Sequence, residues 1–188
     1  MIKEVANENK LKVDESGFNE LFAKHQELSR KGAEQKFKGG LADHSTEVIK
    51  MHTATHLLHQ ALRDILGKHV RQMGSNITKE RLRFDFSHPK AMTKEEIQKV
   101  ENLVNKKIKE GLQVKRLEMK YEDAIKQGAL AFFKENYPKI VSVYKVGNYS
   151  MELCGGPHVN NTKEIGKFKI IKEEAVAAGV RRIKVIVS

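Results

Sequence analysis

The sequence predicts an α+β fold in which two main helices pack on a mostly antiparallel sheet, with an N-terminal helical appendage. Two segments, 46–66 and 93–111, have the apolar periodicity of amphipathic helices. Several short segments are rich in β-branched residues, and two of them are separated by the hairpin dipeptide Gly147-Asn148. Helices combined with strands joined by short turns favour this fold class.

The first forty residues differ from the rest. Five side chains recur there at helical spacing: Phe18, Leu21, Phe22, His25 and Leu28. The basic, Gly-rich stretch that follows is typical of a linker or a surface loop. We therefore predict a helical segment with its linker over 1–40 and the main domain over 41–188.

The segment 46–66 is predicted to form a long helix that ends at Gly67. Its apolar stripe consists of Val48, Met51, Thr55, Leu58, Leu62 and Ile65. Its polar stripe consists of His52, His56, His59 and Arg63. A helix with one face in the core and imidazoles on another is suited to form the floor of a site.

The remaining elements follow from capping and alternation signals. The capping box from Thr93 to Glu96 opens the second helix, and Gly111 closes it. A short helix is predicted over 121–127. The predicted strands are 82–86, 112–119, 140–146, 149–153, 167–171 and 180–187.

The net charge of the 188 residues is +11, which favours a polyanionic partner, most simply a nucleic acid. A lysine-rich surface that only aids solubility is the alternative. Tryptophan is absent and the eight phenylalanines are scattered, so an aromatic platform for stacking single-stranded bases is not predicted.

The number of cysteines and the length of the apolar runs help to predict the cellular compartment of the protein. A single cysteine excludes an internal disulfide and favours a reducing, intracellular environment. The N-terminus is too polar for a secretory signal. Since no apolar run approaches the ~20 residues that span a bilayer, we expect a soluble, cytoplasmic protein without a membrane partner.

Two pairs of metal-binding side chains carry the candidate chemistry. His52 and His56 are four positions apart, which places both imidazoles on one face of a helix. Cys154 and His158 flank a Gly-Gly-Pro sequence, whose glycines allow a tight backbone. One thiolate and three imidazoles suit tetrahedral zinc. Each pair alone also fits an ordinary helix, a turn or a small buried hydrophobe, so the hypothesis depends on the combination.

Other metal chemistries fit this spacing less well. Thr53 stands where a metalloprotease helix has Glu after its first histidine. A zinc deaminase needs His-x-Glu and Pro-Cys-x-x-Cys, and neither is present. His59 lies on the same side of the helix as the pair, and we interpret it as a supporting or an exposed group because a tetrahedral site is already full.

Two long blocks resemble the editing domain of alanyl-tRNA synthetases. The first, over 52–89, begins HTATHLLHQALRDILG and ends RLRFDFSHP; the second, over 151–187, begins MELCGGPHV and ends AAGVRRIKVIV. The second domain of threonyl-tRNA synthetases shares both metal motifs, but it usually has Arg after the cysteine, where this chain has Gly155. Free-standing alanyl-tRNA editing proteins share the metal set and are less similar across these blocks.

The stretch 11–43 resembles the synthetase segment that precedes the editing domain. The small β-barrel that many members of the family insert after that segment is expected to be absent, because only a short connection leads to the first histidine. Nothing in the sequence is similar to the aminoacylation core. The resemblance therefore implies a piece of an alanyl-tRNA synthetase, with a natural free-standing deacylase as the competing origin.

The resemblance also implies the reaction, which is hydrolysis of the ester that links serine or glycine to alanine tRNA. It implies a zinc ion held by His52, His56, Cys154 and His158. Together with Cys154, the expected catalytic residues are Thr55 and Gln72, which match family positions near the aminoacyl group. The alternative interpretation of Thr55 is a residue that packs the helix, and that of Gln72 is a solvated strand residue.

Further residues are expected to contact the substrate. Gly74, Gly155 and Gly156 would bring the backbone close to it. Arg181 and Arg182 are candidates for tRNA phosphate contacts, and strand alternation predicts that only one of the two contacts RNA. Lys167, Lys169 and Lys172 are further candidates, and Asp85 either supports a metal histidine or belongs to a polar strand face.

Two other functions remain open from the sequence. One is a tRNA-binding module whose zinc is structural. The other is a threonine-type editing domain that removes serine from threonine tRNA. No DNA partner is expected.

Overall fold

A computed structural model describes residue 14 and residues 16–24, 44–132 and 137–188 of the chain. The chain divides into two compact units, Met1–Lys38 and Gly39–Ser188. Within the described residues, no helix is both long enough and apolar enough to cross a membrane.

In the first unit, residues 16–24 are helical, which confirms a helix in the N-terminal segment. The Asp14 side chain accepts a hydrogen bond from the backbone N–H of Gly17 at 2.9 Å, at the start of this helix. Phe18 and Phe22 are both exposed, and their rings stack at 5.8 Å. The predicted continuation through His25 and the predicted linker lie outside the described residues, so the domain limits 1–40 and 41–188 stay a prediction.

The second unit contains three α-helices and a 3-10 turn among its described residues. The helices are α1 (Thr46–Leu66), α2 (Lys94–Glu110) and α3 (Tyr121–Lys126), and the turn is Thr162–Ile165. The strands are β1 (Gln72–Ile77), β2 (Leu82–Ser87), β3 (Val114–Lys120), β4 (Ile140–Val146), β5 (Ser150–Leu153), β6 (Phe168–Ala177) and β7 (Val180–Val187).

These strands form two sheets, with the orders β1-β2-β7-β6 and β3-β4-β5. All pairs between them are antiparallel, which confirms the α+β prediction. The division into two sheets is not predicted by the sequence, because periodicity identifies strands but does not show which of them pair.

The sequence analysis contains no strand that corresponds to β1. Gly74, Ser75 and Asn76 disfavour strand structure in isolation. Pairing with β2 overrides this preference, with a register shift between Gln72 and Gly74.

Strand β6 is longer than predicted, since it continues to Ala177 instead of ending at Ile171. Pairing with β7 stabilises this extension. Glu174 lies 2.6 Å from Lys172 and 3.0 Å from Lys184 of β7, so the added residues carry ion pairs in place of apolar side chains.

Helix α1 lies at the centre of the second unit. It contacts β1, β2 and β7 of one sheet and β5 of the other. Its apolar stripe is buried as predicted up to Leu62, and Ile65 is partly buried. Its remaining faces are largely buried too, at Ala54 and Leu57 as well as at His56 and His59. The predicted polar stripe is therefore mostly enclosed, which obliges its imidazoles to find partners inside the protein.

Helix α2 has the predicted capping box: the Thr93 side chain accepts from the backbone N–H of Glu96, and the Glu96 side chain accepts from that of Thr93. The predicted stop at Gly111 is confirmed by its left-handed φ of 66°. Helix α2 also covers the edge strand β6, because the Asn105 amide bonds both the N–H and the C=O of Phe168, at 3.0 and 2.8 Å. Covering the edge in this way protects it from unwanted pairing.

Replacing the cap of α2 tests its contribution to stability. We expect Thr93→Ala to lower the free energy of unfolding by about 1 kcal/mol, since the N–H of Glu96 loses its acceptor. Urea denaturation measures the change. Thr93→Ser keeps the hydroxyl and is expected to lose much less; equal losses in both variants would contradict the capping role.

Candidate metal centre

The four predicted metal ligands converge in the second unit. Helix α1 supplies His52 and His56, and the loop that follows β5 supplies Cys154 and His158. One ligand atom from each residue lies within 4.8 Å of the others. The Cys154 Sγ is 3.3 Å from His52 Nε2 and 3.5 Å from His158 Nε2. Two segments about a hundred residues apart thus meet at one point, as the sequence predicts.

The alternation of β5 aims Cys154 at α1. Glu152 and Cys154 are two positions apart, so they project from the same face of the sheet, whereas Leu153 packs into the separate apolar cluster on the other face. The N–H of Cys154 donates to Ser142 O at 3.1 Å, which continues the ladder with β4 beyond the strand. On β4, the Tyr144 ring lies 4.1 Å from that of His158 and packs against it.

The His52 ring is oriented by the loop itself. Its Nδ1–H donates to the carbonyl oxygen of Pro157 at 3.0 Å. A carbonyl can only accept, so Nδ1 carries the proton and the Nε2 lone pair is directed to the centre. The tautomer required of a metal ligand is therefore set by the Pro157 backbone.

Thr53 performs the same task for His158, a role that the sequence analysis did not assign. Its hydroxyl donates to Ile49 O at 3.2 Å. Its oxygen then accepts from the N–H of Val159 and from Nδ1–H of His158, both at 3.1 Å. The Nε2 atom of His158 is thereby left unprotonated toward Cys154. Thr53, which stands where a metalloprotease motif has Glu, thus connects the loop to α1 through hydrogen bonds.

Burial keeps these groups neutral. Desolvation, with a smaller contribution from the charge of His56, lowers the pKa of His52 from 6.5 to about 3. Desolvation likewise lowers the pKa of His56, and that of His158 well below its usual value. Burial raises the pKa of the Cys154 thiol to about 12, although the backbone N–H groups of Gly156 and Gly155 oppose this shift. Neutral imidazoles are the form that binds metals.

The donor set fits a tetrahedral divalent ion. Bonds of about 2.0–2.3 Å to zinc imply ligand atoms roughly 3.3–3.8 Å apart, and the two distances to Cys154 Sγ lie in this range, at 3.3 and 3.5 Å. The Nδ1 atom of His56 is buried without a hydrogen-bond partner among the described residues. A bound cation would stabilise the thiolate in a site where burial alone opposes it.

The predicted glycines have different environments. Neither Gly155 nor Gly156 has a positive φ, so the loop turns without left-handed backbone at these positions. Their backbone N–H groups bond the Cys154 sulfur. Gly74 lies in β1 opposite Asp85. A Cβ there would lie 3.7 Å from Asp85, an ordinary contact, so packing in this structure does not require glycine.

Thr55 and Gln72, predicted to be catalytic, make local hydrogen bonds. Thr55 is buried, and its hydroxyl donates to Met51 O at 2.8 Å. Its oxygen can still accept a hydrogen bond. Gln72 begins β1, and its amide donates to Ser75 Oγ at 3.3 Å. Their catalytic roles stay predictions.

Arg181 and Arg182 are both engaged in bidentate ion pairs. Arg181 bonds Glu173 at 2.5 and 2.7 Å, and Arg182 bonds Asp85 at 2.7 and 2.9 Å. Strand alternation separates the two side chains, as predicted, but each finds a carboxylate within the sheet. Asp85 accepts from Arg182 through both oxygens and so serves the sheet, not a metal histidine. Phosphate binding by the arginines stays a prediction.

The carboxylate beside the metal ligands is Glu152, which the sequence analysis missed. Its Oε1 accepts from His59 Nδ1–H at 3.1 Å, and its Oε2 lies 3.5 Å from His56 Nε2. His59 is thus buried and paired, which supports its interpretation as a supporting group over an exposed one. The signal available in the sequence was the two-residue spacing of Glu152 from Cys154 at the end of a strand.

Removing the Thr53 hydroxyl tests the connection between α1 and the loop. We expect Thr53→Val to weaken zinc binding about tenfold, because His158 loses the acceptor that orients it. The unpaired N–H of Val159 should also cost about 1–3 kcal/mol of stability. Zinc affinity by chelator competition and urea denaturation measure the two effects. Thr53→Ser is the control, and equal zinc affinity of the two variants would contradict the proposed orientation.

The depressed histidine pKa values predict acid sensitivity of the metal-free protein. Unfolded imidazoles gain protons below about pH 6.5, whereas His52 stays neutral in the fold until about pH 3. Stability is therefore complete above pH 6.5 and falls as the pH drops toward 3, by up to about 1.4 kcal/mol per pH unit for each such histidine. Urea denaturation in chelator between pH 6.5 and 5 tests this. His52→Asn should show a shallower fall, and a flat profile in the parent chain would refute the expectation.

Comparison with known proteins agrees with the geometry. Residues 141–184 match the family described as the threonyl and alanyl tRNA synthetase second additional domain. This stretch runs from β4 into β7 and includes Cys154 and His158, the loop half of the centre.

Whole-chain similarity extends to the helix half. The chain is 58% identical over 184 residues to an alanine–tRNA ligase of Borrelia hermsii, a match that covers 98% of this chain and 31% of that protein. It is 56% identical over 186 residues to the enzyme of Treponema denticola, covering 99% and 31%. It is 58% identical over 135 residues to that of Thermoanaerobacter sp., covering 72% and 15%. The chain spans about a third of the length of the first two relatives. Over nearly its whole length the chain is therefore similar to a segment of alanine–tRNA ligases.

Proposed function

We propose that this domain hydrolyses the ester bond of alanine tRNA that has been mischarged with serine or glycine. The convergence of His52, His56, Cys154 and His158 carries the proposal, because it builds a metal-binding site in a chain related to a tRNA ligase. The net charge of +11 suits a polyanionic substrate such as tRNA. We therefore propose that the protein acts in the cytoplasm, together with its tRNA substrate.

An alanine ligase needs a hydrolytic correction for physical reasons. A pocket sized for alanine cannot exclude glycine, which is smaller, and it discriminates poorly against serine, which adds a single hydroxyl. A second site that removes the wrong products improves the accuracy beyond what binding in the first pocket supplies. The proposed reaction fulfils this need.

The reaction forms a bond between a water oxygen and the carbonyl carbon of the aminoacyl ester. The bond from that carbon to the ribose oxygen breaks, and a proton from the water passes to the ribose oxygen. A zinc ion, when bound, supplies Lewis acidity toward the substrate carbonyl or amino group. Four protein ligands close a tetrahedral site, so direct contact of the ion with the substrate would require one ligand to leave or the coordination to expand. We assign to Pro157 and Thr53 the role of orienting His52 and His158 for metal binding.

Residues outside the ligand set are assigned to substrate binding and positioning. The Thr55 oxygen has lone pairs left to accept from a serine hydroxyl or a water, since its proton is donated to Met51. The Gln72 amide is assigned to the aminoacyl group, and Gly74 and the Gly155-Gly156 pair to close backbone contact. These roles rest on family resemblance.

Phosphate binding is better assigned to lysines than to the paired arginines. Lys167 and Lys169 are exposed at the start of β6, whereas Arg181 and Arg182 are held by Glu173 and Asp85. An arginine already bound to a carboxylate has less charge to offer a phosphate. We propose that the lysines supply the larger share of the electrostatic attraction to tRNA.

Two alternatives make different predictions. A tRNA-binding module with a structural zinc is favoured by the fully braced His52 and His158, and it would bind RNA without hydrolysing the ester. A threonine-type domain would remove serine from threonine tRNA; Gly155, where that type usually has Arg, argues against it.

A deacylation assay separates these functions. We expect the zinc-loaded chain to release serine and glycine from alanine tRNA much faster than alanine, and Cys154→Ala to lower the rate at least a hundredfold because the metal loses its only sulfur ligand. Thr93→Ala, which alters only the remote cap, is the control and should retain the rate. Zinc-loaded, folded protein that leaves both mischarged tRNAs intact would contradict the proposal; faster hydrolysis of Ser-charged threonine tRNA would favour the threonine type.

A further inference from the structure

We propose that Glu152, braced by His59, is a positioning residue that orients His56 and balances the charge of the metal centre. The inference rests on the metal site of the proposed function, but not on its hydrolytic reaction. Three observations carry it: the contacts of the carboxylate, the rigidity of its surroundings, and the charge of the buried cluster.

The carboxylate of Glu152 is shared between two imidazoles of α1. Its Oε1 accepts from His59 Nδ1–H at 3.1 Å. Its Oε2 lies 3.5 Å from His56 Nε2, an electrostatic contact longer than a good hydrogen bond, and it has no hydrogen-bond partner among the described residues. Metal-binding histidines commonly contact a carboxylate through the ring, and this contact fixes the ring orientation. His52 and His158 have Pro157 and Thr53 in this role. Glu152 is the corresponding partner of His56.

The backbone holds Glu152 in place from both sides. It lies in β5 opposite Tyr144 of β4, and on its other side it pairs with Leu130 in an isolated bridge. The N–H of Leu153 donates to Leu130 O at 2.9 Å, next to Glu152. The main chain at Glu152 is therefore held by backbone pairing on both sides, without any contribution from a metal.

His59 is equally constrained. Its ring contacts those of Phe84 and Phe132, with centroid distances of 5.6 and 5.4 Å. Only 2% of its surface is exposed, and its Nδ1 is directed to Glu152. Burial and the two aromatic contacts restrict the His59 ring, so its hydrogen bond holds the Glu152 carboxylate beside His56.

The charge of the cluster explains why a carboxylate is tolerated there. Glu152 is 1% exposed, and a buried carboxylate without a nearby positive charge is costly. A divalent ion with one thiolate and three neutral imidazoles has a net charge of +1. Adding the Glu152 carboxylate brings the buried cluster to zero, so the ion and the carboxylate each lower the cost of burying the other.

Metal affinity of the folded chain tests this role without measuring hydrolysis. We expect Glu152→Gln, which keeps the shape but removes the charge, to weaken Zn²⁺ binding 10- to 100-fold in a chelator competition. It should also alter the visible spectrum of the Co²⁺-loaded protein. Glu152→Asp retains the charge and should recover part of the affinity. Glu118→Gln, the same change at an exposed position of β3, should leave affinity and spectrum unchanged.

A second variant keeps the proposal testable if Glu152→Gln does not fold. His59→Gln spares the carboxylate and removes its brace, and we expect several-fold weaker Zn²⁺ binding. Circular dichroism in chelator verifies that each variant is folded before metal is added. If Glu152→Gln is folded, a Zn²⁺ affinity within twofold of the parent would overturn the proposal. If Glu152→Gln is unfolded, the same result for His59→Gln would overturn it. Failure of the parent chain to hydrolyse its substrate would instead refute the proposed function and leave this comparison valid.

Discussion

Burial of the polar side of α1 is the constraint on which the arrangement of the centre depends. The helix contacts strands of both sheets, so its imidazoles and hydroxyls cannot be satisfied by water. Each must find a partner in the protein, and for His52, Thr53 and His59 that partner is the β5 strand or the loop that follows it. The same hydrogen bonds that satisfy the helix therefore fix the loop that carries Cys154.

This arrangement orients His52 and His158 without any bound ion. The carbonyl of Pro157 and the hydroxyl of Thr53 define the tautomers of His52 and His158, while the N–H of Cys154 is bonded to Ser142 of β4. A preorganised site loses little freedom when it binds its ligand. Such preorganisation favours binding of a structural ion and of a catalytic ion equally. The two kinds of site differ in whether the substrate reaches the ion.

Much of the fold follows from local signals. The capping box at Thr93, the glycine stops at Gly67 and Gly111 and the turn at Gly147 are confirmed because short-range backbone chemistry decides them. Reliance on local signals also explains why strand β1 was missed. Its Gly, Ser and Asn residues have no local preference for a strand, and β1 is extended because it pairs with β2. The long β6 is a similar case, since cross-strand ion pairs replace the apolar alternation that sequence reading relies on.

The sequence by itself indicated which four side chains are candidate metal ligands, because a helical four-residue spacing and a Cys-Gly-Gly-Pro-His loop are local patterns with local geometry. It also determined the α+β class, from periodicity. Only the tertiary structure decided what these side chains contact. Thr53 bonds His158, the Glu152 carboxylate lies 3.5 Å from His56, and carboxylates pair with Arg181 and Arg182. These pairings join residues far apart in the chain, and which distant side chains meet is set by how two sheets pack around one helix, a property that no local pattern encodes.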